Sequence, residues 1–556
     1  MKISVVAHTK WIWVAMAPGA VVVALETLLR FARQPLVYDT VGQQVLSEQL
    51  LRGTADGGYI GATHYFLKMF LVYIPFDLLR ISPRLGLILM TILVNVVSFL
   101  GIVLLAQRLL AVFKTIPQRH NSKTLNQKKF YISLGLTSLL FAVFYSSLFW
   151  IQFANSRNLE VVGAFAVMVL GVEYLQKQTF KRAVVLGILL LLLAFSDTLL
   201  FACSVVSLLL FGVALALHQM WRVKNWIISK RFLIPIVVLI GTAAGAYAVG
   251  VLLLRVAQQV TGISILSAPI NPQPFTLMTA KTIMVAFVRL FTNAWAPYHL
   301  VQLAAIGVVA LIVCLFFYGT MQSHRRLMLL VLIGSAVTVC LYGASGQVLN
   351  GDTSRYLIFL VPLFVVMSMV AVERVFSWKY PLVLGILCGI SIIGVGFLYY
   401  APSLIANKPQ QMRSQYGLVQ ALPGANIAMV YASMDTSLPL SYLSRGTTAA
   451  LPVACKDARL LRGYLFYGAR QYTNHEAAMR LRPQVVLLVD PGGNIANATQ
   501  VCNEAAIQTQ FGMPTHRQPV AGGYVALFFE TQDFQRHLLP NDVQPTKPNN
   551  ESLLAR

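Results

Sequence analysis

The carboxyl group of Asp39, in Tyr38-Asp39-Thr40, follows the first apolar block of the sequence. If a helix begins here, Asp39 heads it and Gln43 lies on the same face one turn later. A carboxylate at the mouth of a membrane cavity can act as a general base on an acceptor hydroxyl or amine. Asp is also a preferred N-cap residue, and taken alone the residue favours that structural role.

His64 and Lys68 lie one helical turn apart in the polar and aromatic stretch that follows. A histidine and a lysine at the membrane interface can hold a phosphate group by charge-assisted hydrogen bonds. Alternatively, Lys68 extends its ammonium group to water while its stem stays in apolar surroundings, and His64 is a loop residue. The sequence leaves both interpretations open.

Arg157 and Glu160 lie in one tight connection between apolar blocks, and Asp197 lies in the neighbouring connection on the same side. We expect Arg157 to pair with Glu160 or with Asp197. Such a pair can contact a ligand, or it can be a structural ion pair that closes a helix bundle.

Arg355 and Tyr356 stand where a late apolar block begins. An arginine at the outer end of a membrane span can bind a lipid phosphate through two parallel hydrogen bonds. The alternative is an ion pair between Asp352 and Arg355 at the start of the helix.

Composition indicates the elements that must position these residues. Of the 556 residues, 57% are hydrophobic and 11% are charged, against roughly 25% charged in an ordinary soluble protein. The apolar residues form blocks that belong to helices of about 20 residues, the length that crosses a bilayer. We therefore predict a polytopic α-helical membrane protein with about eleven transmembrane helices. The blocks are Val21–Leu29, Leu85–Leu105, Phe130–Trp150, Val161–Tyr174, Val184–Phe195, Leu199–Leu217, Phe232–Leu254, Leu300–Tyr318, Leu327–Tyr342, Tyr356–Val372 and Leu382–Tyr399.

The formal net charge of +24 comes mainly from lysines and arginines in short loops between the apolar blocks. Membrane topology explains this distribution better than a nucleic-acid partner, because cytoplasmic loops carry an excess of Lys and Arg. The pattern predicts a multi-pass protein of the cytoplasmic membrane. Its N-terminus is then cytoplasmic and its C-terminal domain extracytoplasmic.

Acidic residues are distributed unevenly under this topology. Ten of the 19 acids lie in the membrane half, and eight of those ten map to its outer side. Carboxylates near a bilayer are costly and usually functional, so their convergence predicts a catalytic or ion-handling site at the outer surface. The alternative is that acids avoid a negatively charged inner leaflet. The eight are Glu26, Asp39, Glu48, Asp56, Asp77, Glu160, Asp197 and Asp352.

The predicted organisation is a membrane domain over 1–400, an α/β domain over 401–533 and a disordered tail over 534–556. Long outer loops cover about 31–84 and 257–298, and loops of this kind usually carry function. The first loop contains the apolar run Phe66–Leu79, interrupted by a lysine, a proline and an aspartate, which is typical of a helix in the membrane interface.

After residue 400 the apolar runs shorten to strand length, as in Ile427–Tyr431, Val485–Val489 and Tyr524–Phe529. Helical patterns lie between them, which predicts a small α/β domain. Cys455 and Cys502 both fall in this domain, and an oxidising compartment permits a disulfide there. Whether they pair is left open, and no metal-ligand spacing of Cys or His is present.

The residues of three segments resemble the GT-C superfamily of integral-membrane glycosyltransferases, which includes protein O-mannosyltransferases and aminoarabinose transferases of lipid A. The segments are Tyr38-Asp39 after the first span, Thr63-His64-Tyr65-Phe66, and Arg355-Tyr356-Leu357 followed by Pro362. The layout of many spans, a long outer loop and a C-terminal outer domain is also similar.

The resemblance implies transfer of a sugar from a polyprenyl-phosphate donor to an envelope acceptor, which is a lipid, a glycan or a protein. It implies that Asp39 is the catalytic base and that Arg355 neutralises the departing phosphate. Many relatives carry two adjacent acids where this chain has Asp39-Thr40, so a divalent cation stays an open alternative. Many also have His-Pro-Pro at the position of His64, and these departures indicate a divergent or inactive branch. The other candidate substrate-binding residues are His64, Lys68, Arg157, Glu160, Asp197 and Tyr356.

Two other classes of function remain. A membrane transporter or lipid flippase needs polar groups near the bilayer midplane, and repeats or broken helices usually accompany them. The charged residues of this chain cluster at the outer ends of the spans instead. The third class is a scaffold for envelope assembly that acts through the α/β domain.

Overall fold

The computed structural model describes residues 2–33, 36, 38–53, 59–60, 68–113, 131–132, 134–139, 141–142, 145, 157–223, 226–265, 276–291, 313–344, 357–375, 415, 417–422, 427–445, 448, 450–463, 469–479, 482–496 and 500–540. These residues form two compact units. Unit 1 comprises Met1–Leu29, Thr91–Leu253 and Ile270–Ile405, and unit 2 comprises Arg30–Met90, Leu254–Pro269 and Ala406–Arg556.

Helices dominate the N-terminal two thirds of the chain. In order, the elements are α1 (Lys2–Arg33), α2 (Tyr38–Leu51), β1 (Tyr59–Ile60), α3 (Met69–Leu78), α4 (Pro83–Phe113), α5 (Asn158–Gln176), α6 (Phe180–Ser196), α7 (Thr198–Val223), α8 (Trp226–Thr261), β2 (Ser264–Ile265), α9 (Leu277–Phe291), α10 (Val313–Gln322), α11 (Arg325–Ala344) and α12 (Leu360–Val375).

Strands and short helices alternate in the C-terminal part. The elements are β3 (Ile427–Ala432), α13 (Met434–Leu443), β4 (Ala450–Lys456), β5 (Arg459–Arg462), α14 (Ala469–Met479), β6 (Gln484–Val489), β7 (Asn494–Ala496), β8 (Val501–Asn503), α15 (Glu504–Phe511), β9 (His516–Pro519), β10 (Val525–Glu530) and α16 (Thr531–His537).

Six helices in the described part of the chain are long and apolar enough to cross a membrane. Many of their large apolar side chains are exposed, as for Leu217 on α7 and Val237 and Leu252 on α8, which is what lipid contact requires. The prediction of a helical membrane-embedded protein is therefore confirmed at this level. The six segments are Trp11–Leu28, Pro83–Phe113, Asn158–Gln176, Thr198–Trp221, Leu233–Thr261 and Arg325–Ala344.

The count of about eleven spans stays a prediction. Two predicted blocks correspond to the shorter helices α6 and α12, with 17 and 16 residues. The block Leu300–Tyr318 is described only from residue 313 onward, Phe130–Trp150 only in part, and Leu382–Tyr399 lies outside the described residues.

Close helix packing in unit 1 depends on small residues. A Cβ atom at Gly171 of α5 would overlap the side chain of Leu208 on α7. On α11, a Cβ atom at Gly334 would stand 3.1 Å from Leu363 of α12. Small residues let apolar helices approach closely, which is the main source of packing between helices in lipid.

Unit 2 is built on a six-stranded mixed sheet in the order β5-β4-β3-β6-β10-β9. The central strands β4, β3 and β6 are parallel, and β5, β10 and β9 add antiparallel edges. On one face, Val430, Val486 and Ala526 pack with Leu440 of α13. The prediction of a small α/β region in the C-terminal part is confirmed.

Successive residues of a strand point to opposite faces of the sheet, so Tyr431 lies on the face opposite Val430. An aromatic cluster lies beside Tyr431 on that face. The ring of Phe534 lies 4.8 Å from Tyr431 and 4.4 Å from Phe511, centroid to centroid. Phe534 is 1% exposed and belongs to α16. The predicted disordered tail over 534–556 therefore begins too early, because burial of Phe534 orders α16, and residues 541–556 lie outside the described part.

A disulfide joins Cys455 of β4 to Cys502 of β8, with the two Cα atoms 5.6 Å apart. This separation lies within the range that a disulfide requires. The structure thus resolves the pairing that the sequence left open.

Segments far apart in sequence complete unit 2. Strand β1 pairs in parallel with β2, and the backbone of Leu36 exchanges two hydrogen bonds of 2.9 and 2.7 Å with the side chain of Gln415. Helix α2 packs against α13. For this reason the compact units divide the chain differently from the predicted 1–400 and 401–533 segments.

Candidate functional site

A cavity of about 440 Å³ lies within unit 2, between α2, α3, the start of α4 and the end of α13. Charged side chains and apolar side chains both line it. Its charged residues are Glu48, Arg52, Asp77, Arg80 and Arg445. Three arginines and two acidic residues thus line one cavity.

Helix α2 supplies one wall of the cavity. Its apolar residues Val41 and Leu46 are buried. Gln43, Gln44 and Ser47 are also buried, so the polar face of α2 lies inside the protein rather than in water. Buried polar groups need hydrogen-bond partners, and this helix therefore brings polar chemistry into the unit.

Helix α3 presents Asp77. The helix begins with a π-helical turn over Met69–Tyr73 and contains Pro75, and single π-turns occur frequently at functional sites. The Ser47 hydroxyl of α2 donates a 2.6 Å hydrogen bond to Oδ2 of Asp77. This bond fixes the carboxyl group between the two helices.

Burial raises the pKa of Asp77 from its ordinary value of 3.8 to about 6. The nearby charge of Glu48 adds to the increase in pKa, while the Ser47 hydrogen bond and the charge of Arg445 oppose it. A general base works best when its pKa lies near the working pH. Asp77 is therefore ionised at neutral pH and still able to take up a proton.

Arg445 connects the end of α13 to the turn between α3 and α4. Its Nη2 atom donates to the carbonyl oxygens of Arg80 and Ile81 at 2.9 and 2.5 Å. Both Arg80 and Arg445 have left-handed backbone conformations, with φ values of 53° and 50°. Non-glycine residues seldom adopt this conformation, and it marks positions that the surrounding structure holds in place.

Two further contacts fix the same turn. The Tyr442 hydroxyl donates to the carbonyl oxygen of Pro83 at 2.8 Å. Arg52 forms a 2.6 Å ion pair with Glu48 and donates to the carbonyl oxygen of Arg445. A guanidinium group carries five N–H donors, so these bonds leave donors that can bind an anion.

The structure describes only some of the site residues that the sequence predicts. Asp39 is the second residue of α2, and its side chain lies outside the described part of the structure. His64, Arg355 and Tyr356 lie outside the described residues. Their roles stay predictions.

Lys68 precedes the π-helical turn of α3 and is only 2% exposed. An ammonium group at this depth is held by polar partners inside the protein. This burial favours an internal role over the alternative in which Lys68 extends to water.

Arg157 pairs with Asp197, one of the two partners expected from the sequence. The Nε atom of Arg157 lies 2.9 Å from Oδ2 of Asp197, and the two side chains are 4% and 1% exposed. Asp197 Oδ1 also accepts hydrogen bonds from the backbone N–H groups of Leu199 and Leu200, which caps α7.

Glu160 accepts a 3.2 Å hydrogen bond from the Ser196 hydroxyl in the same region of unit 1. Together with the pair of Arg157 and Asp197, it links the start of α5 to the turn between α6 and α7. This is the arrangement of a structural ion pair that closes a helix bundle.

The sequence pattern identified only part of this cavity. The sequence predicts Asp77 as one of the outer acids, and it shows the interruption of the apolar run that contains Asp77. Arg445 has no signal in the sequence, because only the packing of α13 brings it to the α3–α4 turn. Among the described residues, no group of three or more His, Cys, Asp or Glu side chains is placed to hold a metal ion.

No protein-family model matches the chain, and no curated protein matches its sequence.

Proposed function

We propose that the chain is a membrane glycosyltransferase, which transfers a sugar from a polyprenyl-phosphate donor to an envelope acceptor. The observation that carries the proposal is the unit 2 cavity, which Asp77 lines together with Arg52, Arg80 and Arg445, and the charge of Arg445 acts on the Asp77 carboxyl group. A carboxylate that accepts a proton and cations that bind a phosphate are the two groups this transfer needs.

The proposed step is a substitution at the anomeric carbon of the sugar. The acceptor oxygen forms a bond to this carbon, and the bond from the carbon to the phosphate oxygen breaks. Asp77 takes the proton that leaves the acceptor hydroxyl. The polyprenyl phosphate departs with an added negative charge, which nearby guanidinium groups stabilise.

The size and lining of the cavity support this substrate class. A volume of about 440 Å³ suits a sugar phosphate, because ligand sites typically measure about 300–1,000 Å³. Phe76, Leu78 and Ile81 add apolar surface that suits the start of a polyprenyl chain.

The proposal includes the finer topology predicted from the sequence. About eleven spans in a GT-C-like arrangement, a cytoplasmic N-terminus and an extracytoplasmic C-terminal domain put the cavity at the outer face of a bacterial cytoplasmic membrane. The disulfide between Cys455 and Cys502 supports an oxidising compartment for that domain.

Two carboxylates compete for the role of base. The resemblance to GT-C enzymes favours Asp39, and the geometry of the cavity favours Asp77. Arg355 and Arg445 are the corresponding candidates for the phosphate. We assign the base to Asp77 because it lines the cavity together with three arginines.

The test is sugar transfer by the purified protein in liposomes. It uses a panel of radiolabelled polyprenyl-phosphate sugars, with a membrane extract as acceptor. Asp77→Asn and Asp39→Asn are compared with Asp533→Asn, which removes an exposed carboxylate of the same unit. We expect Asp77→Asn to lower transfer by about 100-fold or more, while Asp533→Asn keeps wild-type activity.

Three other outcomes of this assay would change the proposal. Loss of transfer in Asp39→Asn alone moves the base to the position that the resemblance implies. Unchanged transfer in both variants removes both carboxylates from the mechanism. If folded wild-type protein uses no donor, the proposal fails, and solute uptake by the same vesicles then tests the transporter alternative.

A further inference from the structure

A second cavity, of about 380 Å³, lies within unit 1 where α4 and α5 end and α6 begins. Its charged residues are Arg108, Glu173, Lys177 and Arg182, and Ala111 adds apolar surface beside them. Three cationic groups therefore surround one carboxylate. We call this cavity the basic cleft.

Glu173 organises the two arginines of the basic cleft. Arg108 binds the carboxylate through Nε and Nη2 at 2.5 and 2.8 Å, and Nε of Arg182 lies 3.6 Å from Oε2. Glu173 itself is only 7% exposed. One buried carboxylate thus orients two guanidinium groups and neutralises only one of them.

Donors remain for an additional anion. The bidentate pair uses two of the five N–H groups of Arg108, whose side chain is 54% exposed. Lys177 is exposed and contributes an ammonium group with three donors.

Of the described helix ends at the basic cleft, only the start of α6 carries a positive partial charge. Arg182 donates two 3.1 Å hydrogen bonds to the carbonyl oxygens of Glu173 and Lys177, which offsets the negative end of α5. Helix α6 begins at Phe180 with its positive end beside the same turn.

The basic cleft lies near one end of α4, a helix long and apolar enough to cross a bilayer. Arg108 stands 22 residues beyond Gly86 in the continuous helix α4, which is about 33 Å of helix. This length matches the hydrocarbon core of a bilayer, roughly 30 Å. Val185, one turn after Arg182 on α6, and Ile188 are exposed apolar residues that an acyl chain can contact.

We propose that the basic cleft binds the phosphate group of an anionic membrane phospholipid. Arg108 and Lys177 bind the phosphate oxygens, Glu173 and Arg182 hold Arg108 and the helix turn in place, and the acyl chains follow the exposed apolar face of α6. Free phosphate offers the same oxygens, but the position of the basic cleft at the end of long apolar helices favours a lipid. The site is independent of the proposed sugar transfer.

The test measures lipid bound to the full-length protein. Purified protein is incubated with phosphatidylglycerol or phosphatidylcholine in detergent, and bound lipid is counted by native mass spectrometry. Lys177→Gln is the test variant, because it leaves both arginine contacts of Glu173 in place. Lys181→Gln is the matched control, since Lys181 is an exposed lysine of the same turn that does not line the basic cleft.

We expect a preference for phosphatidylglycerol and a reduction of about fivefold for Lys177→Gln, because an exposed ion pair between an ammonium group and a phosphate is worth up to about 1 kcal/mol. Lys181→Gln should change binding less than twofold, and Lys177→Arg should restore it. Equal losses for Lys177→Gln and Lys181→Gln, or equal binding of the two lipids, would overturn the proposal. Binding of inorganic phosphate, together with equal binding of the two lipids, would show that the ligand is free phosphate and not a lipid.

Discussion

Replacing Asp77 by Asn should make unit 2 more stable at neutral pH. Burial raises the pKa of this carboxyl group from 3.8 to about 6, so the folded state favours its protonated form. The protonated carboxyl group therefore contributes to the free energy of unfolding. This contribution is fully present below pH 3.8 and is lost as the pH rises through about 6. Asn stays neutral at every pH and keeps a side chain that can accept from Ser47.

The size of the effect follows from the shift in pKa. A difference of about two pKa units corresponds to about 3 kcal/mol in the free energy of unfolding. Asp77 is partly exposed, and solvent screening reduces this value. We therefore expect Asp77→Asn to exceed wild type by about 1–2 kcal/mol above pH 7, and to match it below pH 4.

The assay is thermal unfolding of wild type and Asp77→Asn in the same detergent between pH 4 and pH 8. The difference between the two proteins is the informative quantity, because other carboxylates titrate in both. Ser47→Ala is the control, since it removes the hydrogen bond that lowers the pKa of Asp77. In that variant the pKa of Asp77 should be higher, so the stability difference that Asp77→Asn produces should change over a higher pH range.

Two results would refute the reasoning. One is an Asp77→Asn protein that is no more stable than wild type at pH 8. The other is a difference in stability that does not change between pH 4 and pH 8. Either result would mean that the folded protein does not penalise the ionised carboxylate.

Three further predictions concern stability. Replacing Cys455 and Cys502 by Ser should lower the free energy of unfolding by about 4 kcal/mol for a 47-residue separation, and chemical denaturation at equal protein concentration measures it; an unchanged midpoint would contradict a closed disulfide. Glu476→Ala should cost about 3 kcal/mol or more, because it removes the buried carboxylate that accepts two hydrogen bonds, of 3.2 and 2.6 Å, from the Arg462 guanidinium group. Limited proteolysis should then cut unit 2 faster than in wild type, and equal rates would argue against the prediction. Asp197→Ala should cost about 3–5 kcal/mol because it leaves the buried Arg157 without its carboxylate partner; a melting temperature within one degree of wild type would show that the pair is dispensable.

Periodicity in the sequence predicted the elements that pack by local pattern. The runs Val485–Val489 and Ile427–Tyr431 correspond to β6 and β3 within one residue at each end. Both are central parallel strands covered on two faces, and such strands read as continuous apolar runs. The edge strand β5, with the sequence Arg-Leu-Leu-Arg, has too few apolar residues to give this signal.

The two cavities depend on contacts between residues far apart in the sequence, which no local sequence pattern predicts. Glu173 meets Arg108 across 65 positions of sequence, and Arg445 reaches Arg80 across 365. Asp77 was visible as an outer acid, but its elevated pKa depends on burial and on Ser47, which lies on another helix. The sequence leaves Glu160 and Asp197 open as partners of Arg157, and the structure pairs Arg157 with Asp197 of the adjacent tight turn.

The pairing of Leu36 with Gln415 has a consequence for how the protein is made. The two residues are 379 positions apart, and both belong to unit 2. At a synthesis rate of about 5–20 residues per second, Gln415 is synthesised roughly 20 to 75 s after Leu36. During that interval α2 lacks α13, the helix against which it packs in the finished fold. Unit 2 therefore cannot be completed until the C-terminal part of the chain has been synthesised.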